Sequence, residues 1–254
     1  MAAAFDTVAA EYERGRPGYP ADALDALARE LGLAPDSVVV DLAAGTGKLT
    51  RSLAGRFARV IAVEPLAEMR DQLQRALPEV ETMEGTAERM PLQDALADAV
   101  FVGQAFHWFD GPRALAEIAR VLKPAGGLAL LWNTTPWEER EGPWFAALDD
   151  LLEQSRVNLS TMRRHASGGW ASAFREGELF GTLSEATFEN EQRQSRSDFM
   201  AALASRSYIA ALGEAGRREV MEGVERLLDR PDAPTEDDEV LVPMRTAAYW
   251  ARRS

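Results

Sequence analysis

Apolar positions in the first half of the chain come in short blocks that alternate with stretches of helical spacing. Residues 38–42, Arg59 to Val63, Val80 to Glu84, 98–102 and Leu128 to Trp132 each read as a strand bounded by turn residues. Helices are predicted from about Lys48 to Phe57, over 66–76 as far as Pro78, and over 112–122, where Pro112 suits a first turn. Leu122 to Gly127, with Pro124 and two glycines, reads as a turn before the fifth strand. Such alternation implies a parallel sheet with right-handed crossovers. Beyond Asn133 the pattern changes. Trp137, Trp144, Phe145, Trp170, Phe174 and Phe180 fall on helical or irregular stretches. A sixth strand fits 183–190, helices fit 197–212 and 214–229, an acidic turn fits Pro231 to Glu239, and a final strand runs from Val240 to about Tyr249.

Composition narrows the function classes. With 254 residues, 46% of them apolar, the chain is long enough for one large α/β domain with an elaboration. No run reaches the ~20 apolar residues of a membrane span. The opening Met-Ala-Ala-Ala-Phe-Asp lacks the regions of a signal peptide, so a cytoplasmic protein is expected. The chain has no cysteine, which removes disulfides and thiolate chemistry. Two histidines, His107 and His165, make a His-rich metal site improbable, and none is expected. A net charge of −13 argues against nucleic acid as the main partner. Oligomeric state stays open.

The most informative stretch is Val38 to Thr50, a β-branched run ending in Asp41, then small residues and two glycines, then a helical pattern. Glycines let the backbone approach a ligand closely, and open α/β sheets bind ligands at the carboxyl ends of their strands. Spacing separates the possible cofactors. A P-loop needs a glycine where Leu42 stands and a hydroxyl residue where Leu49 stands. The dinucleotide fingerprint is met at Gly45 and Gly47, but its third glycine position is Thr50. What remains, Asp-x-x-x-Gly-x-Gly, resembles motif I of the class I S-adenosylmethionine-dependent methyltransferases.

Glu64 follows the second strand, seventeen residues after Gly47, where an acidic residue accepts ribose hydroxyls; a solvated strand-end charge is the plainer alternative. It is expected at the rim of the cleft. Gly103 to Asp110 packs three aromatics and His107 into a strand-end loop, and loops seldom spend bulky apolar groups on solvent. The Phe-His-Trp-Phe run, with Glu-Tyr-Glu-Arg-Gly-Arg-Pro-Gly-Tyr-Pro at 11–20, resembles the small-molecule branch that includes trans-aconitate methyltransferase-like proteins.

The resemblance implies a Rossmann-like, seven-stranded, mostly parallel α/β sheet with an antiparallel last strand, helices on both faces and an inserted helical lid. It divides the chain into an N-terminal capping arm and helix (1–34), an S-adenosyl-L-methionine-binding core (35–133), a helical substrate lid (134–180) and a C-terminal stretch completing the sheet (181–254). It also implies cofactor contacts at Asp41, Ala43, Gly45, Gly47, Pro65, Gln104 and Trp108. Met69 would pack on the adenine, although core packing explains it as well. Thr86, Ala87 and Glu88 would meet the adenine edge; alternatively, they form a plain loop entering a helix with Thr86 as its cap. Tyr12 and Arg16 would fold over the cofactor, Arg16 pairing with its carboxylate, unless the arm is simply stiffened by proline.

The expected chemistry is methyl transfer to a small organic molecule. Such transfer chiefly needs a nucleophile held in line. His107 stands as a base, a wall orienting the acceptor, or a structural group. The alternatives are a nicotinamide-dinucleotide oxidoreductase and a non-catalytic cofactor-binding scaffold.

Overall fold

A computed structural model describes residues 18–156, 169–175 and 179–254. Its first strands are β1 (Val38–Leu42), β2 (Arg59–Val63), β3 (Glu81–Met83), β4 (Ala97–Gly103) and β5 (Leu122–Thr134). The remaining strands are β6 (Ser184–Ser195), β7 (Thr235–Glu236) and β8 (Glu239–Arg252). They form one sheet in the order β3-β2-β1-β4-β5-β8-β6, with the two-residue β7 antiparallel to β8 off that path. Strands β1 to β5 are parallel, as the alternation implied. The expected seven strands are therefore those of the main path.

Alternate residues of the parallel strands feed opposite faces, which is why these segments read as continuous apolar runs. Val39, Ala99, Phe101, Ala129 and Leu131 pack with Leu24 and Leu27 of α1 (Ala21–Glu30) and with Leu49 and Leu53 of α2 (Lys48–Ala54). Val40, Leu42, Val100, Val102, Leu128 and Leu130 meet Ala114, Leu115 and Ile118 of α4 (Gly111–Val121). Leu73 of α3 (Ala67–Ala76) joins Ala62, Leu77 and Val80. Helices thus cover both faces. Asp110 caps α4, its carboxylate accepting the Arg113 N–H, with Pro112 in the first turn.

Several element boundaries differ from the sequence reading: β6 runs on to Ser195, the acidic turn holds β7, and β8 extends to Arg252. Helix α2 ends at Ala54, because Gly55 follows as its cap. The turn before the fifth strand is absorbed into β5 as a bulge: Ala97 pairs with Leu122 but Ala99 with Gly127, and Ala125 between them is left-handed at φ 61°. The helix expected over 197–212 breaks at Ser205 into α7 (Arg196–Ala204) and α8 (Ser207–Ala210). The other helices are α5 (Pro143–Arg156), α6 (Ser172–Arg175) and α9 (Glu214–Leu228).

The chain forms two compact units. One contains Gly18–Asn133, 169–175, 179–188 and Thr246–Ser254; the other contains 134–156 and Glu189–Arg245. The stretches 134–180 and 181–254 therefore each contribute to both. The second unit has its own core, in which Trp137, Trp144, Leu148 and Leu152 meet Phe199, Val220, Val224 and Val242. Trp144 ties α5 to α9 by donating its indole N–H to the Leu227 carbonyl at 2.7 Å. Among the described residues no helix is long and apolar enough to cross a membrane.

Candidate functional site

Parallel pairing brings the carboxyl ends of β1 to β5 to one edge of the sheet: Leu42 stands beside Val63, Val63 beside Met83, Asp41 beside Phe101, and Gly103 beside Leu131. Every described residue singled out for the cofactor or the acceptor lies at the ends of β1, β2, β3 and β4 or on the segments that follow them. Tyr12 and Arg16 lie outside the described residues.

At the end of β1, Asp41 is buried and its Oδ2 accepts the Thr50 hydroxyl at 2.6 Å. Burial pushes the Asp41 carboxyl up to about 7, the Thr50 hydrogen bond opposes this, and the nearby Glu64 charge adds to it. The turn that follows is left-handed at Ala43 (φ 57°), Gly45 (φ 57°) and Gly47 (φ 92°). Among the described residues, a Cβ on Gly45 would meet nothing nearer than the Met69 sulfur at 3.9 Å, so they leave that side of the turn open.

Glu64 is not at a rim. It is only 4% exposed, and its carboxylate bridges two turns. Oε2 accepts the Gly45 N–H and Oε1 the Leu66 N–H, each at 2.9 Å. A solvated strand-end charge is thereby ruled out: water is replaced by backbone donors. Arg70 locks the same corner, donating to the Glu64 and Pro65 carbonyls at 2.9 and 2.6 Å and pairing with Glu84 at 3.0 Å. Pro65 is exposed, as is Leu66, and Met69 is half-buried.

After β3, Thr86 and Arg89 exchange backbone hydrogen bonds of 3.1 and 3.2 Å in a tight turn. No helix follows, so Thr86 is not a cap. Ala87 is buried, and Glu88 Oε1 accepts the Asp110 N–H at 3.0 Å.

After β4, Gln104 is left-handed at φ 58° and donates its side-chain amide to the Asn133 carbonyl at 2.9 Å. Non-glycine residues in this conformation are common at functional sites; of the six left-handed non-glycine residues among those described, Ala43 and Gln104 stand at the ends of neighbouring strands, and Ala95, Ala125, Asp237 and Asp238 lie elsewhere. A single 3₁₀ turn, Phe106–Trp108, then carries His107, half-buried, and Trp108, 65% exposed. Phe106 turns inward to Phe109, Trp170 and Phe174 at centroid distances of 5.4, 6.1 and 5.7 Å. The Trp132 indole N–H donates to His107 Nδ1 at 3.4 Å.

Several residues of this edge escaped the sequence reading. Thr50 was noticed only as the missing glycine, yet a hydroxyl nine residues beyond Asp41 in the next helix is the partner a buried carboxyl needs. Asn133 donates to the Gly18 carbonyl at 3.0 Å and accepts the Thr246 hydroxyl at 2.6 Å. Tyr19 lies against Gly103 so closely that a Cβ there would collide with its hydroxyl. Trp132 and Tyr249 read only as strand residues. Their contacts depend on long-range topology and leave no local signal.

Residues 40–130 match the family described as a methyltransferase domain. An uncharacterized methyltransferase of Mycobacterium tuberculosis is 45% identical over 175 residues, 65% of this chain and 69% of that protein. One of Schizosaccharomyces pombe is 34% identical over 250 residues, 98% of this chain and 96% of its own. A solved structure of a putative type II methyltransferase from Anaeromyxobacter dehalogenans superposes with a TM-score of 0.66 at 26% identity, covering 94% of this chain and 96% of that one. The chain belongs to the class I S-adenosylmethionine-dependent methyltransferases, and it is an enzyme of that kind. The nicotinamide reading finds no support here, and its missing third glycine is a buried threonine bonded to Asp41.

Proposed function

We propose that the chain transfers a methyl group from S-adenosyl-L-methionine to a small organic molecule. The observation that carries this is the buried Glu64 carboxylate, which holds the glycine turn of β1 against the end of β2. A carboxylate has about four lone-pair sites. Two are used by amides here, which leaves capacity for a pair of ribose hydroxyls. The open side of Gly45 suits a ligand lying across the turn, with Met69 and Pro65 toward the adenine and Thr86, Ala87 and Glu88 at its edge. Asp41, Ala43, Gly47, Gln104 and Trp108 would surround the methionine portion, completed by Tyr12 and Arg16. When bound, the cofactor supplies an electrophilic methyl group.

The chain's own task is then orientation, which is worth several kcal/mol. His107 is the group we assign to the acceptor. The ring of Trp132 beside it, with Trp170 and Tyr249 packed on that indole, suits a partly apolar molecule bearing a polar group. Titration calorimetry tests the cofactor assignment. S-adenosylhomocysteine should bind, NAD should not, and Glu64→Ala should weaken binding roughly ten- to a hundredfold, as expected for loss of a charged partner. Unchanged binding in that variant would sink the ribose role.

A further inference from the structure

His107 is joined to the aromatic wall by a contact whose chemistry is one-sided. The Trp132 Nε1 lies 3.4 Å from His107 Nδ1, and an indole nitrogen can only donate. Nδ1 must therefore present its lone pair, and the proton of the neutral imidazole sits on Nε2. The indole has little room to turn away. It stacks on Trp170 with centroids 4.6 Å apart and 27° between planes, and meets the Tyr249 ring edge-on at 5.7 Å. Trp170 also packs on Tyr249 at 5.0 Å and on Phe106, the neighbour of His107, at 6.1 Å. The backbone around His107 is closed by Trp108 N–H to Ala105 O at 2.9 Å and Phe109 N–H to Phe106 O at 3.1 Å.

We infer that Trp132 is a positioning residue that holds His107 as its Nε2–H tautomer and covers the ring's basic Nδ1 lone pair, so that the imidazole does not act on the acceptor as a general base. The inference rests on the proposed placement of His107 beside the acceptor. A ring already protonated at Nε2 keeps its basic lone pair at Nδ1, and there the indole covers it. Taking up a proton at Nδ1 would forfeit that hydrogen bond and set two N–H groups against each other. Among the described residues, the titratable and charged groups on the neighbouring segments are Tyr249 on β8, Asp110 and Glu88, which are linked through the Asp110 N–H, and Arg89 and Arg113 beside them.

Nitrogen-15 NMR of the imidazole tests this on the full chain without acceptor or cofactor. The sequence has two histidines, so His165→Gln leaves His107 as the one observed ring. Above its titration midpoint, His107 should show a protonated Nε2 and a bare Nδ1. Trp132→Phe keeps an aromatic ring but deletes the donor. It should yield a mixture of tautomers and raise the titration midpoint by about half to one pH unit, the equivalent of one hydrogen bond. A wild-type ring protonated at Nδ1 overturns the proposal, as does a Trp132→Phe variant with unmoved tautomer and midpoint. Should that variant not fold, the wild-type spectrum decides alone. Binding of S-adenosylhomocysteine, measured separately, reports on the methyl-transfer reading, so failure of one is distinguishable from failure of the other.

Discussion

Asp41 and Glu64 are both acids at strand ends, yet the structure treats them differently. Glu64 is surrounded by donors, whereas Asp41 is sunk among apolar neighbours and pushed up to about 7 from an ordinary value of 3.8. The folded chain thus retains a proton that the unfolded chain gives up near pH 4. The resulting stabilisation is complete below about pH 3.8 and is lost as pH rises through about 7. Asp41→Asn, which keeps the shape without the charge, should flatten that decline, and it should be more stable than the parent at pH 8. Urea unfolding midpoints measured from pH 5 to 8 check this; parallel curves for parent and variant would refute it. Glu64→Ala should act differently, leaving the Gly45 and Leu66 amides without their acceptor. Each buried donor so orphaned costs about 1–3 kcal/mol, so this variant should lower the unfolding midpoint as well as ligand affinity. A variant with weakened binding and unchanged stability would show that solvent takes over both amides. The type and spacing of these acids were legible in the sequence, but their burial was not, since burial depends on which strands become neighbours.

At the scale of elements, β1, β2 and the parallel order followed from β-branched runs and turn residues, because a strand covered on both faces has an unmistakable composition. The strand ends were less legible. Ala43 and Gln104 adopt left-handed backbone that costs about 1–2 kcal/mol for a residue with a side chain, and no glycine marks either position. The bulge at the start of β5 was read as a plain turn for a related reason. Lys123, Pro124 and Ala125 have turn chemistry, and only pairing of both flanks with β4 makes them part of a strand. Gly127, just past that bulge, gives α1 its close approach to the sheet. An added Cβ would lie 2.5–2.9 Å from the Leu31 side-chain carbons, inside a packed core. Gly127→Ala should therefore destabilise the chain by about 1–3 kcal/mol, the usual range for overpacking. Chemical denaturation measures it. A neutral substitution would mean that α1 shifts outward without loss of contact.

For the whole molecule, the edge we propose for ligand binding is assembled from segments far apart in the chain, and that assembly follows directly from parallel β1 to β5. The second core around Trp137, Trp144 and Phe199 was less predictable, because its aromatics lack strand periodicity and its parts come from 134–156 and Glu189–Arg245. This architecture makes a distributed prediction for hydrogen exchange. A molecule lying across the strand ends should slow exchange together in peptides covering 41–47, 64–70, 85–88 and 103–108. Helices α5 and α9 should slow by no more than the general stabilisation that ligand binding confers, since their buried faces serve the separate core. Exchange mass spectrometry with and without S-adenosylhomocysteine checks the pattern. At a hundredfold excess over its dissociation constant, the ligand adds about 2.7 kcal/mol to the folded state, enough to register wherever exchange requires global opening. Local contacts should exceed that uniform background at the strand ends. Protection confined to α5 and α9, with the glycine turn and Glu64 unaffected, would put the ligand elsewhere and overturn the assignment of this edge.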